Sequence, residues 1–413
     1  CREDNLVFSG MVGMRDPIRP EALEAVKTFK EAGVRTVMIT GDHADTAYAI
    51  GKQLDIAWNR EQCMAGAQMA AVPAEEFASA VKNIRIFARV SPAQKVQIVE
   101  ALKENGEIVA MTGDGVNDAP SLKAADIGIA MGQNGTDVAK EASDMVLTDD
   151  NFATIEKAIE EGRGVYENIR KTVIFLLSSN LGEILTMFLT VACGLASPLK
   201  SSHILWINLI TDSLPALALG VDENNGVELM GNAPRKKKES LFARGGLSCT
   251  LFYGLLIAVI SLFSYLLIPC VWVRTQGYPI SLETLNICLH NDGILSKAQT
   301  YAFTVLSMSQ LFHAVGMRDT SVSVFRMNHK NNKLMIVAGC FGFVLQLLVT
   351  KIPFLINAFG TAGLSAKEWG ILAGLASFPL LAHELIVLFD RAGEHRVKRF
   401  SNARSKGSFA KKI

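Results

Sequence analysis

Residues Met111–Leu122 read MTGDGVNDAPSL, and this stretch decides the fold of the first half of the chain. An apolar run, Glu107–Thr112 (EIVAMT), leads into it and reads as a buried strand. Glycines flank Asp114 on both sides, which lets the backbone turn sharply and come close to a ligand. Asn117 and Asp118 follow at the start of a helix. A strand that hands a carboxylate to such a turn suits ligand binding beyond the carboxyl end of an open α/β sheet. Asp-Gly and Asn-Asp are also ordinary turn and cap residues. Against that simpler reading stand a second turn of the same kind, Thr40-Gly41-Asp42, and a lysine-bearing helix between the two.

Working outward, Val34–Thr40 (VRTVMIT), Asp126–Met131 (DIGIAM) and Asp144–Leu147 (DMVL) read as further strands. Helical patterns occupy Glu21–Ala32, Asp45–Leu54 and Pro92–Asn105. Strands alternating with such helices predict a doubly wound parallel sheet. Asp114 at a strand end suits Mg²⁺, which prefers one or two carboxylates with phosphate and water oxygens. Lys95, in the helix entered by Arg89-Val90-Ser91-Pro92, can offer positive charge to a transferring phosphoryl group. Thr40, Gly41 and Asp42 offer a hydroxyl and a backbone nest to the same oxygens. There is no Walker-type loop, and no Ser-His-Asp arrangement stands out.

The second half differs in kind. Over all 413 residues the hydrophobic share is 49% and the charged share 20%, with a mean hydropathy of +0.25, so much of the chain belongs in lipid. The formal net charge of +1 argues against a nucleic-acid partner. Six apolar spans are expected near Thr172–Leu195, Ile204–Val221, Gly246–Val273, Gln299–Met317, Leu334–Ile356 and Trp369–Phe389. The loops after the second and fourth spans and the tail hold seventeen Lys and Arg, against four in the other three loops. By the positive-inside rule, the basic loops, the tail and the α/β domain share the cytoplasmic side. The organisation expected is therefore an α/β domain over 1–165, a six-helix transmembrane bundle over 166–390 and a basic tail over 391–413. Anionic lipid is a possible partner for that tail. Cys270 and Cys288 bracket an exterior loop and are within reach of pairing as far as sequence can say.

Polar residues inside the spans give a second signal. Glu183 interrupts the first span and Asp212 sits in the second; ionisable groups there mark functional sites by default. Asn180 and Glu183 share a helix face, as do Asn208, Thr211 and Asp212. Together they offer five oxygen-bearing side chains, a shell of the kind Ca²⁺ accepts. Pro215 is placed to unwind the helix and release carbonyls. The alternative for Asn and Thr is interhelical hydrogen bonding.

Asp16-Pro17-Ile18-Arg19, Thr40-Gly41-Asp42, Arg89-Val90-Ser91-Pro92 with Lys95, TGDGVNDAP over Thr112–Pro120, SSNLGE over Ser178–Glu183 and NLITDSLP over Asn208–Pro215 together resemble the carboxyl-terminal half of calcium-transporting P-type ATPases. The resemblance implies a haloacid-dehalogenase-like phosphorylation domain that uses ATP and Mg²⁺, and a membrane path for Ca²⁺. It implies Asp114 as the Mg²⁺ ligand and Lys95 at the phosphoryl group. Thr40 and Gly41 would line that pocket, Asn117 and Asp118 would order it, and Asp16 and Arg89 would lie near the nucleotide or a hinge. Where two-ion calcium pumps carry a glutamate in the fourth span, this sequence has Gln310, so either weak Ca²⁺ binding at the Glu183 site or one ion per cycle is expected. His313 is expected as a packed polar residue, and Glu384 is expected either to snorkel or to cap. The family's Asp-Lys-Thr-Gly-Thr string does not occur in the chain. The resemblance therefore implies an amino-terminal half, with acceptor aspartate, nucleotide-binding domain, actuator domain and four spans, before Cys1. Two alternatives stand beside an ATP-driven Ca²⁺ exporter in the plasma membrane. One is a Mn²⁺-transporting pump, and the other is a non-catalytic membrane half that binds or regulates a partner pump. A phosphatase fused to an anchor would need a nucleophilic aspartate near Asp16, and the Asp-Pro context does not supply one.

Overall fold

The computed structural model describes residues 7–13, 17–224 and 226–391. It divides into two compact units, Cys1–Arg163 with Asn225–Glu239, and Gly164–Asn224 with Ser240–Ile413. Asn225–Glu239, expected as an inter-span loop, thus groups with the first unit.

In the first unit, parallel strands alternate with helices. The order is α1 (Pro20–Glu31), β1 (Met38–Thr40), α2 (Ala44–Gln53), β2 (Cys63–Ala65), α3 (Gly66–Ala70), α4 (Ala74–Val81) and β3 (Ile86–Ala88). Then come α5 (Pro92–Glu104), β4 (Ala110–Gly113), α6 (Ala119–Ala124), β5 (Ile127–Met131), α7 (Asp137–Glu141) and β6 (Met145–Leu147). The strands fall into two three-stranded parallel sheets, ordered β1-β3-β2 and β4-β5-β6, rather than the single sheet expected. Among the described residues β1 and β4 pair on one side only. β3, paired on both sides, is buried at all three positions, whereas β1 is only half-buried.

Helices on both faces nevertheless bind the sheets into one layered body. Val26 of α1 packs with Ala47, Ile86 and Ala88, while Ala25 and Phe29, on the neighbouring stripe, pack with Ile129 and Leu147 of the second sheet. On α5, Ile98 and Leu102 join Phe87, and Val99 joins Met111 and Ala130. Each helix therefore spans both sheets.

The turn after β6 is locked by Asp150, a residue in the left-handed region at φ 50°. Its carboxylate accepts the backbone N–H groups of Gly132, Gln133 and Asn134 at 2.6, 2.9 and 2.8 Å. These bonds, led by that from Gln133 and opposed by desolvation, hold its carboxyl below the usual carboxylate range. A depressed folded value means the stabilisation is complete above the ordinary carboxyl value, about 3.9, and is lost as pH falls through the folded one. Asp150→Ala should therefore lower the thermal midpoint at neutral pH, with the gap closing on acidification. A pH-independent gap, or none, would show that the carboxylate does not hold this turn.

The second unit is helical. α8 (Thr154–Ala192) runs 39 residues, with the unit boundary inside it. At 1.5 Å per residue it is about 58 Å long, roughly twice a bilayer's hydrocarbon thickness. There follow α9 (Ser201–Trp206), a π-helical segment (Ile207–Thr211), α10 (Ser213–Gly220) and, in the first unit, α11 (Gly226–Gly231). The rest comprises α12 (Gly246–Thr275), α13 (Leu282–Leu289), α14 (Asp292–Met317), α15 (Lys333–Val349), α16 (Pro353–Phe359) and α17, which starts at Ala366 and reaches Arg391 past a turn at Ser377.

Among the described residues three helices, α8, α12 and α17, are long and apolar enough to cross a membrane, and α15 with α16 makes a fourth if that bent pair is one span. Three of the six expected spans depart from a simple apolar helix. Leu334–Ile356 bends by 88° between α15 and α16, where Pro353 takes the first helical position and cannot continue the preceding helix. Ile204–Val221 is broken at the π segment. α14 falls short in apolarity because it lies in the middle: from Ala298 to Met317 nearly every side chain is buried, including Thr300, Thr304, Ser307, Ser309 and Gln310. A helix enclosed by protein can be polar where a lipid-facing one cannot. Cys270 and Cys288, whose pairing sequence left open, are both free thiols.

Candidate functional site

The first unit gathers most of its expected site residues at the carboxyl ends of β1, β3 and β4. Thr40 Oγ1 donates to Asp42 Oδ2 at 3.0 Å and accepts the Asp42 N–H at 3.1 Å, a closed local turn. Gly41 and Asp42 are exposed. Arg89 has φ 51°, a strained value for a non-glycine. Its N–H reaches the Asp42 carbonyl at 3.1 Å while the next N–H, of Val90, reaches Thr40 at 3.3 Å. Arg89 is thus a backbone tie between two strand ends. Asp16 lies outside the described residues.

The second cluster is built around Asp118. Ser91 caps α5 in a reciprocal box with Gln94, and Pro92 begins the helix. This fixes the first turn, from which Lys95 Nζ meets Asp118 Oδ1 at 2.6 Å. The other oxygen, Asp118 Oδ2, accepts the N–H groups of Asp114 and Gly115 at 3.4 and 3.2 Å. A Cβ on Gly113 would stand 2.5 Å from Asp118 Cβ, so only glycine lets Asp118 fold back under the turn. Asp118 therefore orders the loop and holds Lys95. The Asp114 backbone is pinned by Thr136, whose N–H donates to its carbonyl at 2.8 Å, and its side chain is exposed. Asn117 is exposed beside it. No hydrogen bond among the described residues joins the Thr40 cluster to the Lys95 cluster; Ile39 and Met111, one residue before each turn, meet in a shared apolar core.

In the second unit, Glu183 of α8 is 6% exposed and Asp212, after the π segment, is 1% exposed. Gln310 Nε2 donates to Glu183 Oε1 at 3.0 Å, and Asn208 Nδ2 approaches Glu183 Oε2 at 3.5 Å. Thr211 Oγ1 lies 3.4 Å from Gln310 Oε1 and donates to the Ile207 carbonyl at 2.9 Å. Asp212 has two buried oxygens with no hydrogen-bond partner. Glu183, Asn208, Thr211 and Gln310 are thus joined, while no hydrogen bond ties the Asp212 carboxylate to them. Asn180 is half-buried on α8, without a hydrogen bond to the others. Asn208 is exposed while Thr211 and Asp212 are buried, so the three do not share a face as α-helical spacing predicts. Pro215 lies inside α10, downstream of the unwinding it was expected to cause.

Sequence reasoning missed how His313 is held: its Nε2 sits 2.8 Å from Ser178 Oγ, with the Tyr253 ring tilted against it at a centroid distance of 4.3 Å. Neither residue type nor spacing announces that pairing. Glu384 accepts the Val324 N–H at 2.6 Å, a loop cap.

Residues 6–126 match the haloacid dehalogenase-like hydrolase family, and residues 196–389 match the family described as cation transporting ATPase, C-terminus. Calcium-transporting ATPase 1 of Bacillus cereus is 47% identical over 387 residues, covering 94% of this chain and 43% of that protein. A calcium-transporting ATPase of Bacillus subtilis is 43% identical over 386 residues, 93% of this chain and 41% of the relative. The cation-transporting ATPase pma1 of Synechocystis is 40% identical over 375 residues, 89% and 39% respectively. The chain belongs to the P-type cation-transporting ATPases. It spans about two fifths of the length of the curated relatives it matches.

A P-type ATPase fold implies Mg²⁺ at the phosphorylation domain, and the residues present fit it. Asp114 offers an exposed carboxylate on a fixed backbone, while Asp118 is already engaged by Lys95 and two N–H groups. One carboxylate with room for water and phosphate oxygens is the donor set Mg²⁺ prefers. In the second unit, two carboxylates, two amides and a hydroxyl make up a donor set of the kind a hard cation takes. No group of three or more His, Cys, Asp or Glu residues occurs among the described residues, so this shell is mixed rather than all-acidic.

Proposed function

We propose that this chain forms the phosphorylation domain and cation path of an ATP-driven pump that exports Ca²⁺ from the cytosol through an aspartyl-phosphate cycle. The observation that carries the reading is Asp212, a carboxylate 1% exposed whose two oxygens have no donor. Such a group is costly in a low-dielectric interior unless a cation or a proton compensates it. Glu183, Thr211 and Gln310 stand ready to complete that compensation with oxygen ligands.

The γ-phosphoryl group passes from ATP to an aspartate carboxylate on a segment of the complete protein outside this chain, and ADP leaves. Lys95, aimed by Asp118, sets its ammonium against the charge on the transferring oxygens. Thr40 and Gly41 line the same pocket. Mg²⁺, held by Asp114 when bound, offsets the negative charge of phosphate. The seventeen-to-four division of loop cations supports a cytosolic phosphorylation domain beside a membrane bundle. Gln310, neutral where a second acid would add charge, supports one ion per cycle.

Mn²⁺ is the second cargo, since it takes the same oxygen donors. Titrating the ATPase activity of the complete protein with Ca²⁺ and, separately, with Mn²⁺ decides between them. Half-activation is expected at a lower Ca²⁺ concentration. Activation by Mn²⁺ alone would reassign the cargo, and no ATPase activity with either ion would favour a non-catalytic membrane half.

A further inference from the structure

Four helices of the second unit are tied together at one buried ion pair that includes none of the site residues described above. Asp222 stands just past α10, and Arg318 caps the end of α14. Arg318 Nε and Nη2 grip Asp222 Oδ2 and Oδ1 at 3.0 and 2.9 Å, a fork on a carboxylate. Their side chains are 7% and 3% exposed. Asn332, the cap of α15, donates to Asp222 Oδ1 at 2.9 Å and to the Ala218 carbonyl of α10 at 2.7 Å. Asn168 of α8 donates to the Asp222 carbonyl at 2.7 Å. His329 Nδ1 lies 3.5 Å from the free arm of the guanidinium.

The helices joined here are those that carry the cation-site side chains. α8 bears Glu183; α10 follows Asp212 directly; α14 bears Gln310, about 12 Å along the helix from Arg318. We propose that Asp222 and Arg318 are positioning residues for the cation site, a clasp that fixes the relative register of α8, α10 and α14 so that Glu183, Asp212 and Gln310 converge on one ion. A buried pair with this many donors is rigid, and a constellation on three helices keeps its geometry only if those helices are held in register. The inference rests on the cation-site reading given above.

Arg318→Lys keeps the buried charge and loses the fork, so it tests geometry rather than charge. In the complete pump, the Ca²⁺ concentration for half-maximal phosphorylation by ATP should rise roughly 3- to 30-fold. Phosphorylation by inorganic phosphate without Ca²⁺, which needs the folded phosphorylation domain and no bound cation, should stay within about twofold, below the smallest coupling effect expected of the clasp. Asn332→Ser keeps a helix cap, removes the donations to Asp222 and Ala218, and should give a smaller shift in the same direction. An unchanged Ca²⁺ requirement in both variants overturns the proposal. So does an equal loss of both phosphorylation reactions in both, which marks the clasp as structural only. Glu183→Ala is measured alongside: if it leaves the Ca²⁺ requirement untouched, the cation site itself is misassigned, which is a separate failure.

Discussion

Replacing Lys95 by alanine is expected to slow phosphorylation of the complete protein by ATP by roughly 10²–10³-fold, the usual penalty for losing one preorganised group that faces developing charge. The reason is geometric. Lys95 leaves the capped first turn of α5 and is held 2.6 Å from Asp118, with little freedom to swing away. An ammonium fixed in advance needs no reorganisation when negative charge spreads over the phosphoryl oxygens. Lys95→Arg should recover only part of the rate, because a planar fork replaces a point charge. Asp118 loses its cation in the alanine variant but keeps the Asp114 and Gly115 N–H groups. Rapid-quench phosphorylation measures the effect, with binding of radioactive Ca²⁺ as the control for folding. A rate within threefold of wild type would remove Lys95 from the phosphoryl site.

The second large effect concerns the carboxylates of the helical unit. Glu183→Ala and Asp212→Asn should each raise the Ca²⁺ requirement by about a hundredfold or more, some 2.7 kcal/mol of binding energy. Their effects on the cation-free protein should differ in sign. Glu183 accepts from Gln310 at 3.0 Å, so removing it leaves a buried amide without its acceptor. Asp212 accepts from nothing among the described residues, so exchanging its charge for a neutral amide relieves a desolvation cost. The expected result is a lower thermal midpoint for Glu183→Ala and a higher one for Asp212→Asn, with cation-dependent phosphorylation lost in both. A stabilised but inactive variant is the mark of a residue kept for binding at the expense of folding. If Asp212→Asn destabilises the cation-free protein and leaves Ca²⁺ activation intact, Asp212 is a structural residue.

The Asp114 turn was legible because its chemistry is local: glycines, a carboxylate and a helix start sit within a few residues. The Lys95–Asp118 pair was not, since its partners lie 23 positions apart and meet only once α5 and α6 pack on the same sheet. β2 and β3 escaped for another reason. Three residues such as Cys63-Met64-Ala65 carry neither β-branching nor a readable period, and only pairing with neighbours makes them strands. In the second half, counting apolar residues located the long helices but not the short α11 and α13. The count says nothing about which helix is enclosed, so α14 was expected as an ordinary span although its burial on all sides explains its serines and threonines. The charge count treated Arg318 as one of many loop cations, whereas the fold buries it against Asp222. Orientation rules average over loops and are blind to a single arginine taken inside.

The π segment Ile207–Thr211 has a consequence for how the second span can change. Its closing bond runs from the Asp212 N–H to the Ile207 carbonyl at 3.0 Å, five residues back instead of four. One residue is, in effect, surplus to the α-helical count. Removing Leu209 or Ile210 would let the segment close into a regular α-helix, shortening the path from Asn208 to Asp212 from four residues to three and removing the wide turn. The alignment of Asp212 with Glu183 therefore depends on a spacing as well as on side chains. A single-codon deletion of Leu209 or Ile210, which leaves every oxygen ligand in the gene, tests whether this wide turn shapes the cation shell.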